Sequence, residues 1–126
     1  MQQSVEKSKT IRGRTLYESG QAAEDRISMD YKRRGFPIIQ RRWRGQSGEI
    51  DLIARDGDSL VFIEVKQSRT FDRALSHLTE RQISRLYRAA EEFSSQEPNS
   101  NLTDVRFDVA LVNGRGEYRI IENAFA

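Results

Sequence analysis

GEIDLIARDGDSLVFIEVKQ, running from Gly48 to Gln67, is the stretch whose reading decides the fold of this 126-residue chain. Two runs rich in β-branched and aliphatic residues, GEIDLIAR (Gly48–Arg55) and SLVFIEVKQ (Ser59–Gln67), are separated by RDGD (Arg55–Asp58). Asp-Gly between two such runs is a hairpin signal. Successive side chains of a strand point to opposite faces. Taking Asp56-Gly57 as a two-residue turn pairs Arg55 with Asp58, Asp51 with Phe62 and Glu49 with Glu64. Glu49, Asp51, Glu64 and Lys66 then share one face, with Asp51 a diagonal neighbour of Glu64 at about 5.5–8 Å between Cβ atoms. Large apolar residues occupy both faces: Ile50, Leu52, Val61 and Ile63 on one, Ile53, Leu60 and Phe62 on the other. The hairpin is therefore expected to be central in its sheet and covered on both sides.

A lone Glu-x-Lys on a strand is ordinarily a solvated face. Here that reading leaves three carboxylates close together in a partly dry place. Like charges facing each other destabilise a sheet, and a bound divalent cation turns that cost into affinity. Asp51, Glu64 and Glu49 are the candidate metal ligands, for Mg²⁺ or Mn²⁺.

Outward from the hairpin, Leu16, Gly20, Ala23, Ile27 and Tyr31 recur at helical spacing between Thr15 and Arg34, and Gly35 follows as a left-handed cap. Phe36–Trp43 is an apolar run that turns basic, and Pro37 confines it to a sheet edge or a strand start. Thr70–Leu78 reads as a connection. From Thr79 to Ser95, Ile83, Leu86, Tyr87, Ala90 and Phe93 mark a second amphipathic helix, with Thr79 and Gln82 as a capping box. Gln96–Thr103 is a loop, Val105–Val112 a strand, NGRG (Asn113–Gly116) a turn and Glu117–Glu122 a last strand. The order helix, three strands, helix, two strands predicts an α+β fold, with helices flanking a mixed sheet. Residues 1–13 are polar and unpatterned and are expected to be flexible, leaving 14–126 as one domain.

The chain has no cysteine, which excludes disulfides, thiol nucleophiles and cysteine-ligated zinc. No apolar run approaches the roughly 18–20 residues a membrane span needs, and no signal-peptide core opens the chain. A cytoplasmic protein without membrane contact is expected. The net charge of +2 hides an asymmetry: residues 1–48 hold eleven Lys/Arg against five Asp/Glu, the remainder ten against fourteen. A basic half beside an acidic half suits a protein that attracts a polyanion and also carries carboxylates for a cation. Arg41, Arg42 and Arg44 flank Trp43, the only tryptophan, a combination suited to phosphate contact and base stacking, although a tryptophan anchoring an edge strand explains it too. Arg81 and Arg85 lie on the polar side of the second helix and are further candidates for nucleic-acid contact.

GEIDLI followed by FIEVK resembles the PD-(D/E)XK nuclease signature. More narrowly, GQAAE (Gly20–Glu24), GF (Gly35–Phe36), GEIDLIARDG (Gly48–Gly57), VFIEVK (Val61–Lys66), RFDVA (Arg106–Ala110) and NAF (Asn123–Phe125) resemble the YraN-like family of uncharacterised bacterial proteins. The resemblance implies a restriction-endonuclease-like core. It matches Asp51 and Glu64 to metal-binding acids, Lys66 to the catalytic lysine and Glu24 to an acid on the first helix that often completes such sites. The chain departs from that pattern at Gln82, where the family usually has lysine, and at Arg42, where it usually has asparagine. The expected function is a Mg²⁺-dependent endonuclease acting on nucleic acid, DNA foremost, and structure-selective in the manner of a Holliday-junction resolvase, with a homodimer left open. An inactive nucleic-acid-binding module and a protein-interaction domain are the alternatives.

Overall fold

The computed structural model describes residues 20–98 and 103–125. The segment 1–13 and the expected helix start at Thr15 lie outside the described residues. Helix α1 covers residues 20–33. It is followed by β1 (Ile38–Arg44), β2 (Glu49–Asp56), β3 (Ser59–Gln67), α2 (Phe71–Ser76), α3 (Glu80–Ser94), β4 (Val105–Val112) and β5 (Tyr118–Ile121). The strands form one sheet in the order β1-β2-β3-β4-β5, with β3 and β4 parallel and every other neighbouring pair antiparallel. This is a mixed α+β fold with a restriction-endonuclease-like core. No described helix is long and apolar enough to cross a membrane.

The end of α1 is closed as expected. Gly35 adopts φ +90° and donates to Lys32 O at 3.0 Å, while Phe36 N–H reaches Tyr31 O at 2.8 Å. These two bonds satisfy carbonyls that the last turn would otherwise leave open. Pro37 precedes β1, which is an edge strand.

Two expectations are corrected. The hairpin turn sits one residue further along: Asp56 pairs with Ser59, and Gly57 takes φ +60° as the first central residue. A type II′ turn reserves that position for glycine, which decides between the two registers. The pairing therefore moves by two positions, and a shift of two leaves each side chain on its own face. The second correction is α2, expected as a connection. Thr70 caps it by accepting from Arg73 N–H at 3.2 Å. Six residues are too few for a helical period to declare itself in sequence.

The sheet is covered on both faces. Ala23, Ile27 and Tyr31 of α1 pack on Leu52, Ala54, Val61, Ile63, Ala110 and Val112. On the other face Leu86, Ala89, Ala90 and Phe93 of α3 meet Ile53, Leu60, Phe62 and Phe107, and α2 covers Val109 and Leu111 through Ala74. A one-residue slip of β2 or β3 would exchange these two apolar sets, so the register is strongly held.

A charge lies deep within this scaffold. Asp108 is 0% exposed and accepts from Tyr31 OH at 2.6 Å, from Arg106 Nε at 3.1 Å and from Asn123 N–H at 3.0 Å. Burial, then the hydrogen bond to Asp108, pushes the Tyr31 phenol far above its ordinary range, so it stays a donor. The network joins α1, β4 and the C-terminal turn.

Candidate active site

The β2–β3 ladder runs from Asp56 and Ser59 to Leu52 and Ile63 and stops there. Immediately beyond, Asp51 Oδ2 accepts from Val65 N–H at 2.8 Å. A side chain thus satisfies a backbone donor where ladder bonding has ended. Strand alternation lapses at the same place. Ile50 packs with Ile53 against α3, although the two are three residues apart, and Leu52 between them packs against α1. Asp51 is turned into the fork between the two strands.

Burial, and then the negative charge of Glu64, raise the Asp51 carboxyl to about 7. The Val65 N–H and the Lys66 ammonium pull the other way, and a hydrogen bond with Glu64 adds to the rise. The two carboxyls are within hydrogen-bonding reach of each other. Lys66 Nζ lies 3.2 Å from Glu64 Oε1, and the two side chains are only 18% and 17% exposed. Glu49, Glu64 and Lys66 line a cleft of about 300 Å³, closed by Gly48 and by Gln82, Arg85 and Leu86 of α3. Glu64 and Lys66 therefore face one hollow, and Asp51 adjoins them through its interaction with Glu64.

The remaining candidates separate into several roles. Glu49 lines the cleft but is 40% exposed and pairs with Arg44 at 3.5 Å. Among the described residues no group of three Asp, Glu or His is placed to hold one ion, so the expected three-acid cluster reduces to the Asp51–Glu64 pair. Glu24 is 8% exposed; its carboxylate takes Arg42 Nε at 3.1 and 3.3 Å and has Arg41 Nη2 at 3.7 Å. Burial raises its pKa and Arg42 opposes the rise, while the charge of Asp51 adds to it. Arg41 also pairs with Asp25 at 2.7 Å. Trp43 packs edge-on against Phe93 with ring centroids 5.3 Å apart. It anchors the edge strand on α3, the alternative that the sequence had left beside nucleic-acid contact. Arg44, Arg81 and Arg85 are exposed.

The stretch that carries these residues matches a known family. A profile of the uncharacterised protein family UPF0102 matches residues 23–112, a stretch that holds Glu24, Asp51, Glu64 and Lys66. The chain belongs to UPF0102. A UPF0102 protein of Ruegeria pomeroyi is 56% identical over 114 residues, which cover 90% of this chain and 93% of that protein. One from Cereibacter sphaeroides is 53% identical, over 90% and 97% of the two chains. One from Roseobacter denitrificans is 45% identical, over 90% and 88%.

Two features of this UPF0102 site were not read from the sequence in that role. Thr79 Oγ1 accepts from Gln82 N–H at 3.2 Å, the expected half of the capping box. The Gln82 Oε1 atom, however, is buried without a partner among the described residues, and its side chain lines the cleft. The capping reading hid that role. The second is the β1–β2 loop, where Glu92 of α3 accepts from Gln46 N–H at 3.0 Å and Ser47 N–H at 3.2 Å. A carboxylate reaching back 46 positions leaves no local signal.

Proposed function

We propose that this UPF0102 protein is a metal-dependent endonuclease that hydrolyses phosphodiester bonds of nucleic acid, DNA foremost, and selects its target by strand structure. The observation that supports the reading is the Glu64–Lys66 pair in the cleft wall, with the Asp51 carboxyl near enough to feel the Glu64 charge.

The donor set fits Mg²⁺ or Mn²⁺. Burial and the neighbouring Glu64 charge hold the Asp51 carboxyl up at about 7, a cost that a cation between the two carboxyls would offset. Magnesium commonly takes one or two carboxylates and keeps water in its other positions, so a third acid is not required. Asp51 and Glu64 would hold the ion, which when bound supplies charge for a phosphate oxygen and acidity for a water molecule. The protein's own groups supply the rest. Lys66, held by Glu64, orients the attacking water and offers a proton donor to charge developing on the phosphate. Val65 N–H keeps Asp51 aimed into the fork. Arg85 in the cleft wall, with Arg44 and Arg81 exposed on β1 and α3, provides cationic contacts for a strand backbone. A surface this small favours recognition of shape over a long base sequence.

The test is incubation of the purified chain with linear, single-stranded and branched DNA in Mg²⁺ or Mn²⁺. Cleavage is expected from the wild type and a loss of at least about a hundredfold from Lys66→Ala, the scale of one acid–base or electrostatic group. Normal cutting by Lys66→Ala defeats the assigned role. DNA binding that ignores divalent cations, with no cleavage of any form, would mark an inactive module of the same fold.

A further inference from the structure

Arg42 is the one arginine among the described residues with a positive φ, +51°, and it lies in the middle of β1. A left-handed backbone at a long side chain is strained, and such strain persists only where its surroundings enforce it. Its effect here is specific. In a regular strand Arg41 and Arg42 would point to opposite faces. Both instead reach Glu24 of α1, at 3.7 Å and 3.1 Å, while Trp43 packs against Phe93 on the far side of the sheet. The β1–β2 register, with Arg41 opposite Leu52 and Trp43 opposite Ile50, brings Arg42 across from Asp51, whose charge Glu24 feels. Within the ion pair the acid is hidden and the base is not: the Glu24 side chain is 10% exposed and that of Arg42 38%.

We propose that Arg42 is an anion-binding residue of the site, taking a phosphate of the strand that enters the cleft, and that Glu24 is its holder and not a ligand for the cation. This rests on the nuclease reading above. A buried carboxylate that already accepts from one guanidinium and has a second beside it is neutralised by the protein itself. A guanidinium presents five donors in a planar fork suited to phosphate oxygens, and a carboxylate on Nε fixes its plane. Glu24 thus acts through Arg42 as a positioning residue.

The experiment uses the full chain, a fluorescein-labelled four-way DNA junction in EDTA, and Mn²⁺ binding followed by electron paramagnetic resonance. Asparagine tolerates left-handed backbone, so Arg42→Asn relieves the strain as it removes the charge. It is expected to weaken junction binding about tenfold and to lower the salt slope by about one contact. Glu24→Gln is expected to weaken junction binding to a similar degree while leaving Mn²⁺ affinity within about twofold of wild type; Asp51→Asn should abolish Mn²⁺ binding. The double variant, which leaves no unpaired charge at Glu24 if a single one proves unstable, should bind no more weakly than Arg42→Asn. Loss of Mn²⁺ binding in Glu24→Gln overturns the proposal by making Glu24 a ligand. Unchanged junction binding in Arg42→Asn overturns it by making the pair a structural clamp. Wild-type protein that ignores DNA altogether refutes the nuclease reading, and this proposal with it.

Discussion

Asp51 is the residue in which stability and chemistry pull apart. Its carboxyl titrates near 7 in the folded chain and at an ordinary 3.8 when unfolded, because burial and Glu64 disfavour its charge. Between those values the folded state holds a proton that the unfolded state has released. The contribution of Asp51 to stability is therefore greatest below about pH 4, falls as pH rises toward 7, and stays low above it. Asp51→Asn keeps an acceptor for Val65 N–H and removes the charge. It should raise stability by roughly 1–3 kcal/mol at pH 8 and by almost nothing at pH 4, read from thermal melts at both values. Mg²⁺ should raise the wild-type Tm more at pH 8 than at pH 6, since it competes with that proton, and should leave Asp51→Asn unmoved. At this scale the closeness of Glu64 and Lys66 followed from the period of two along β3, whereas the alternation lapses at Asp51, which reaches Val65 N–H across the end of the ladder. The capture of Glu24 by Arg41 and Arg42 was not legible in the sequence. It depends on a backbone angle at Arg42 and on a contact 18 positions apart, neither of which leaves a local pattern.

Among the elements, the hairpin was legible in its runs and misplaced in its turn. Asp-Gly signals a two-residue loop, but which residue comes first depends on the turn type, and Gly57 at φ +60° decides it. Gly57→Ala meets open space yet must keep that angle, so it should cost about 1 kcal/mol, visible as a lower denaturant midpoint with an unchanged slope. The edge position of β1 followed from Pro37, and the extent of β4 from its apolar run. Helix α2 went unread because its helicity comes from the Thr70 cap and from Ala74 packing on β4, a tertiary cause. The cap at Thr79 was read correctly. The direction of the Gln82 side chain, set by the cleft beside it, was not.

Across the whole molecule, the sheet is held between two apolar layers, and Asp108 ties them through α1 and the C-terminal turn. Arg106 and Asp108 pair along β4; that Tyr31 and Asn123 complete the network emerges only once the chain is folded. Replacing Asp108 by Ala would strand the Tyr31 hydroxyl and the Asn123 N–H and take from Arg106 its nearest acid, at an expected cost of about 3–5 kcal/mol in chemical denaturation. Tyr31→Phe, which removes one donor, should cost about 1–3 kcal/mol.

Glu92 has a consequence for the aperture. Its carboxylate clasps the amides of Gln46 and Ser47, and the next residue, Gly48, lines the opening together with Gln82 of α3. Jaw separation is thereby a built-in dimension, like a caliper locked at one setting. Nitroxide labels at Ser47 and Arg81 should report a single narrow distance in pulsed dipolar spectroscopy. Glu92→Ala should broaden that distribution while the fold persists.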